Sequence, residues 1–116
     1  MNVKGIGIDA VEIVRFRNLL KERNERFLKN TFSARESLYC RAFSDPAVRF
    51  AGMFAAKEAI QKAVGTSTVP LSSIEIRYRT SGKPSVWIAD QPDRSILVSI
   101  SHSSRIACAV ALACLA

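Results

Sequence analysis

Val3-Lys4-Gly5-Ile6-Gly7-Ile8-Asp9 opens the chain with two glycines alternating with two isoleucines. A period of two is that of a strand, and bare positions on one face suit a strand that another backbone approaches closely. Asp9 then stands at the strand's end. With Glu12 three residues on, it matches an N-cap followed by an acidic residue. This predicts one helix that starts here and carries Arg15, Arg17, Lys21, Arg23, Arg26 and Lys29.

Outward from this strand, Ser33-x-x-Glu36 forms a capping-box pattern ahead of Leu38 to Phe43. Asp45-Pro46 is a second helix start, since Asp caps and Pro is preorganised for the first helical position. That helix is expected to run to Val64, with Gly65 as a left-handed stop and Met53, Ala56, Ile60, Ala63 and Val64 as its apolar stripe. Ile74, Ile76 and Tyr78 alternate with Glu75, Arg77 and Arg79 as a strand with one wet face. Ser81-Gly82-Lys83 turns it into Val86-Trp87-Ile88, and Ala89 to Arg94 reads as a Pro-containing loop.

Ile96, Val98, Ile100 and His102 share a face of the next strand, and Ser103-Ser104 turns it into the last. There Ile106, Cys108, Val110, Leu112 and Cys114 alternate with alanines. Alanine also favours helix, but the strict two-residue period of the larger side chains favours strand. The alanine face is nearly flat, so another sheet or a subunit is expected to pack closely on it. The order β-α-α-α-β-β-β-β defines an α+β fold with helices packed on antiparallel strands.

The 116 residues suffice for one core, so residues 1–116 read as one domain. No stretch is polar or repetitive enough to suggest disorder. The N-terminus lacks the apolar core of a secretory signal, and the longest apolar run, Ile106 to Ala116, is too short to span a bilayer. Cys40, Cys108 and Cys114 are odd in number and lack C-x-x-C spacing, which fits free thiols in the cytoplasm better than disulfides or zinc. Seventeen Lys and Arg against ten Asp and Glu give +7, a field that attracts a polyanion or an acidic protein. Nine of those cations fall between Arg15 and Arg49, as a functional basic face or as a solvated helix surface interrupted by Glu22 and Glu25.

Two carboxylates stand out, Asp9 and Glu58. Singly, each has a structural role: Asp9 as a cap, Glu58 as a one-turn partner of Lys62 worth ~0.3–0.5 kcal/mol. Lys57 falls near the apolar stripe, where it either reaches out to a phosphate or covers apolar surface with its stem. On spacing alone the two are even. His102, the one histidine, sits among serines without a visible Ser-His-Asp pattern. Gly5 to Ala10 formally fits G-x-G-x-x-A but lacks the βαβ context of dinucleotide binding, and Gly82-Lys83-Pro84 is a hairpin turn, not a P-loop.

Three motifs taken together carry a resemblance: Gly5-Ile6-Gly7-Ile8-Asp9-Ala10-Val11-Glu12-Ile13, Phe54-Ala55-Ala56-Lys57-Glu58-Ala59 and Ser99-Ile100-Ser101-His102. They resemble the small, bacterial holo-acyl-carrier-protein synthase group of 4′-phosphopantetheinyl transferases. Phe32-Ser33-x-Arg35-Glu36, Lys62-Ala63-Val64-Gly65-Thr66 and Gly82-Lys83-Pro84 match in the same order, so the likeness covers almost the whole chain. The resemblance implies transfer of phosphopantetheine from coenzyme A to a serine of an acidic acyl carrier protein, releasing adenosine 3′,5′-bisphosphate with the help of Mg²⁺.

By the same resemblance Asp9 and Glu58 hold the metal, and Lys57 steadies the breaking pyrophosphate. Glu58, or a water it orients, is the base. Lys62, Gly65, Ser101 and His102 lie near the nucleotide end, and Arg15 docks the carrier with Lys21, Arg23 and Arg26 as helpers. The group forms homotrimers with active sites at subunit clefts, and the flat alanine face is compatible with a buried subunit contact.

Three departures stand against the family pattern: Met53 where many relatives have Arg, Ser67 in place of a frequent glycine, and a short loop from Ala89 to Arg94. Met53 supports an alternative reading, a weak or idle homologue that binds carrier or coenzyme without transfer. A nucleic-acid binder would use the charge but leaves the carboxylate and lysine pattern unexplained and lacks a recognisable motif.

Overall fold

The computed structural model describes residues 2–65 and 69–115. Thr66 and Ser67, and with them one of the three departures, lie outside the described residues. Strand β1 (Val3–Glu12) leads into helices α1 (Ile13–Lys21), α2 (Glu25–Thr31), α3 (Ala34–Arg41) and α4 (Pro46–Val64). A short 3₁₀ turn, Leu71–Ser73, precedes strands β2 (Ile74–Tyr78), β3 (Pro84–Ile88), β4 (Gln91–Pro92), β5 (Ile96–His102) and β6 (Ile106–Cys114). The α+β reading stands. The strands form two antiparallel sheets, β1-β6-β5 and β2-β3-β4.

The glycine alternation of β1 has a direct cause. A Cβ at Gly5 would lie 1.8 Å from the Ala63 carbonyl oxygen, and one at Gly7 would lie 1.9 Å from that of Ala59. Only bare positions let α4 rest on the strand's backbone at this distance. The inward residues of β6, namely Ala107, Ala109, Ala111 and Ala113, are all buried, and they continue the same floor beneath the helix. Small residues on the sheet therefore set the height of α4, and α4 buries nearly every side chain from Phe50 to Ile60. Above the floor Phe16 packs on Phe54 and Phe32, and Phe32 on Phe50, at centroid separations of 5.4, 6.1 and 4.9 Å.

Three expectations are corrected. First, β1 does not end at Asp9: the strand continues to Glu12, and Asp9 pairs with Ala109 of β6. Glu12 is the N-cap residue of α1, without a side-chain cap bond, so Asp9 is free of any capping role. Second, the basic run is carried on two helices. Arg23 takes a left-handed φ of 54°, and the Asn24 side chain then caps α2 by accepting from the Phe27 amide. Third, the alanine face is not a subunit contact, because α4 of the same chain covers it.

Of the remaining cap readings, two hold and one does not. Ser33 and Glu36 make the reciprocal capping box, and Gly65 closes α4 at φ 75°. Asp45 precedes the helix as expected, but its carboxylate accepts from Arg17 at 2.6 Å instead of capping. Within the Ala89–Arg94 loop, Ala89 and Asp90 have φ of 49° and 64°, forming a two-residue turn that lets Gln91 pair back with Ile88. Among the described residues no helix is long and apolar enough to cross a membrane.

Candidate functional site

The antiparallel lie of α4 on β1 brings the middle of the helix over the middle of the strand. Gly7 faces Ala59, so Asp9, two residues further along the same strand face, comes opposite the preceding turn of the helix. There a pocket of about 440 Å³ opens, lined by Asp9, Ala10, Val11, Glu12, Arg15, Phe54 and Glu58. Phe54 and Glu58 are one helical turn apart on the α4 face that looks into it. The two carboxylates singled out from sequence, 49 positions apart, thus line one cavity.

Lys62, a further turn along α4, closes the site on one side. Its ammonium donates to the Ile8 carbonyl at 2.9 Å and to Asp9 Oδ1 at 3.3 Å. The expected one-turn partnership of Glu58 and Lys62 is replaced by this bridge to β1. Arg15 borders the other side, its guanidinium 5.0 Å from the Phe54 ring centroid and 5.9 Å from that of Phe27. Stacking on aromatic faces holds the cation at the rim while leaving it exposed.

Lys57 does not reach this pocket, which corrects its reading as a phosphate contact. It points to the opposite side of α4, wholly buried, with its Nζ 2.6 Å from Glu36 Oε1 and donating to the carbonyls of Thr31 at 2.6 Å and Leu71 at 3.3 Å. Glu36 also accepts from the amides of Ser33 at 3.0 Å and Ile76 at 2.7 Å. Burial raises the Glu36 pKa, against the pull of Lys57, and burial lowers the Lys57 pKa against Glu36. Both shifts are the mark of charges taken out of water. The pair clamps α4 to α3 and β2. Sequence reasoning missed Glu36 as its partner, since in the capping-box reading that carboxylate was already spoken for.

The remaining predicted residues are spread out. Ser101 and His102 are exposed at the end of β5, separated from β1 by β6, and do not line the pocket. Gly65 caps the far end of α4. Lys21, Arg23 and Arg26 are exposed along the end of α1 and the start of α2. Met53 is buried with its sulfur 3.9 Å from Cys40 Sγ, so this departure alters the core beside Cys40 and not the pocket lining.

The outward face of β1-β6-β5 carries the larger side chains in register: Ile6 with Leu112 and Leu97, Ile8 with Val110. Ile6 and Ile8 are 66% and 68% exposed, an apolar surface that this chain leaves uncovered.

Residues 5–111 match the family model described as the 4′-phosphopantetheinyl transferase superfamily. A holo-[acyl-carrier-protein] synthase of Chlamydia caviae is 38% identical over 120 residues, spanning 97% of this chain and 98% of that protein. One from Chlorobium limicola is 42% identical over 114 residues, 92% and 90% of the respective chains. Among solved structures, the holo-(acyl-carrier-protein) synthase of Bacillus anthracis in complex with CoA (3′,5′-ADP) superposes with a TM-score of 0.81. It shares 32% identity over 99% of this chain and 100% of its own. The Helicobacter pylori enzyme in complex with coenzyme A gives 0.80 at 28% identity, over 93% and 98%.

Proposed function

The chain belongs to the 4′-phosphopantetheinyl transferase superfamily, and from that premise we propose that it transfers 4′-phosphopantetheine from coenzyme A to a serine of an apo-acyl carrier protein, releasing adenosine 3′,5′-bisphosphate. The observation that carries the reading is the single pocket lined by Asp9, Glu58 and Arg15, with Lys62 paired to Asp9 beside it.

The donor set fits Mg²⁺. Among the described residues no three His, Cys, Asp or Glu side chains gather into a metal cluster, so Asp9 and Glu58 would hold a cation whose remaining ligands would have to be water and substrate phosphate. When bound, Mg²⁺ supplies Lewis acidity that draws charge from the pyrophosphate as its P–O bond breaks. Lys62, in place of the buried Lys57, is the lysine able to offer a second positive charge to that pyrophosphate. Glu58, or a water it orients, takes the proton of the attacking serine hydroxyl.

Arg15 at the rim, with Lys21, Arg23 and Arg26 beyond it, forms the cationic approach for an acidic carrier. The uncovered apolar face around Ile6, Ile8 and Val110 supports assembly into a homotrimer, with the outer sheet face as the contact in place of the alanine face. In such an assembly the pocket would lie at a subunit cleft, with Ser101, His102 and Gly65 toward the nucleotide end, as the family resemblance implies. Three free thiols agree with a cytoplasmic location.

Mass spectrometry tests the transfer. Purified protein with Mg²⁺ and coenzyme A should add the mass of one phosphopantetheine to an apo-carrier protein from its host. A failure to modify any of them would leave only the idle-homologue reading.

A further inference from the structure

The Lys62 ammonium rests on Asp9, which with Glu12 is one of two β1 carboxylates lining the pocket. It is anchored there twice, at 2.9 Å from the Ile8 carbonyl and 3.3 Å from Asp9 Oδ1. Asp9 is only 19% exposed and Lys62 is 54% exposed, so the carboxylate is fixed in the strand while the lysine has open solvent to swing into. We infer that Lys62 is an internal counter-ion which occupies Asp9 in the coenzyme-free protein and makes binding of the divalent ion and of coenzyme A interdependent.

This inference rests on the reading of Asp9 and Glu58 as the metal ligands. An ammonium and a divalent ion compete for the same carboxylate lone pairs, and each repels the other at short range. In the coenzyme-free protein a metal ion must displace Lys62, which lowers its affinity. Coenzyme A brings pyrophosphate oxygens, which are strong acceptors for the released ammonium. Lys62 then exchanges Asp9 for phosphate and leaves the carboxylate to the metal. By linkage, whatever the coenzyme adds to metal affinity, the metal adds to coenzyme affinity. Free Mg²⁺ therefore loads poorly by itself, and the donor substrate recruits it.

Mn²⁺ binding to the full chain, stripped with chelator and followed by the electron paramagnetic resonance of free Mn²⁺, tests this with no turnover required. Without coenzyme, Lys62→Met should bind Mn²⁺ about five-fold more tightly than wild type, the size of a partly exposed ion pair removed. Lys62→Arg, which keeps the charge, should not. Adding coenzyme A should tighten Mn²⁺ binding in the wild type and do so less in Lys62→Met. Equal or weaker Mn²⁺ binding by Lys62→Met would overturn the counter-ion role. Asp9→Asn separates the two levels: if it loses Mn²⁺ while Lys62→Met fails to tighten, only this inference falls, and if it keeps Mn²⁺, the metal-ligand reading falls first. Circular dichroism melting shows whether each variant is folded, which the exposure of Lys62 favours.

Discussion

Helix α4 carries two lysines five residues apart, and each finds a carboxylate on another element. Lys57 meets Glu36 at 2.6 Å with both side chains 0% exposed, whereas Lys62 meets Asp9 at 3.3 Å at the edge of an open pocket. The chemistry of the pairs is the same, but their surroundings assign opposite roles. In the interior, desolvation is so costly that neither partner can be released, and the pair serves as a rivet between α4, α3 and β2. At the pocket edge solvent stands ready to replace either partner, so the pair can open when something better arrives.

The largest expected effect is on the interior pair. Glu36→Ala leaves Lys57 buried without its anion and should cost about 3–5 kcal/mol of folding stability, measured by urea denaturation. Joining it with Lys57→Met, which replaces the cation by apolar volume, should recover most of that loss. A single variant as stable as wild type would break the contrast at its stronger end.

Asp9→Asn and Glu58→Ala should do the reverse. Each is expected to abolish transfer in the apo-carrier assay while changing stability by no more than about 1 kcal/mol, because Asn keeps the shape of Asp9, and Glu58 borders an open pocket. Retained activity in both would refute their assignment as metal ligands.

The smallest effect concerns Glu75, which stands between the two extremes. Burial acts to raise its pKa, but hydrogen bonds from Ser33 and Arg77 and the charges of Arg77 and Arg35 outweigh it and hold the carboxyl below its ordinary value. A carboxyl depressed on folding stabilises the native state above its unfolded pKa of 4.5, and that contribution fades as pH falls through the folded value. The melting temperature should therefore fall less between pH 5 and pH 3 for Glu75→Gln than for wild type. Parallel curves would remove Glu75 from the acid-sensitive set.

How far these features were legible in sequence depended on the range of their causes. The bare face of β1, the capping box at Ser33 and the span of α4 are local patterns, and each was readable. The break at Arg23 was not, since a left-handed arginine followed by an Asn cap has no Gly or Pro to announce it. The strand was read three residues too short because Asp9 and Glu12 imitate a cap.

The site was half legible. Asp9 and Glu58 stand out in the sequence and take their metal-binding role from motif resemblance, and the fold places them in one pocket. Lys57 was misplaced, because its fate depends on Glu36, 21 positions earlier, and helical spacing alone cannot tell a buried cation with a partner from a reaching one. The alanine face was correctly seen as flat, but only the packing of α4 decides which side of β6 it covers.

The bare contact between β1 and α4 has a practical consequence for anyone wishing to retune the enzyme. With Gly5 and Gly7 seated against the carbonyls of Ala63 and Ala59, a single added methyl has nowhere to go. Randomised libraries aimed at new carrier partners should leave that seam untouched and spend their diversity on the exposed cations Arg15, Lys21, Arg23 and Arg26, where altered side chains do not disturb how strand and helix are seated together.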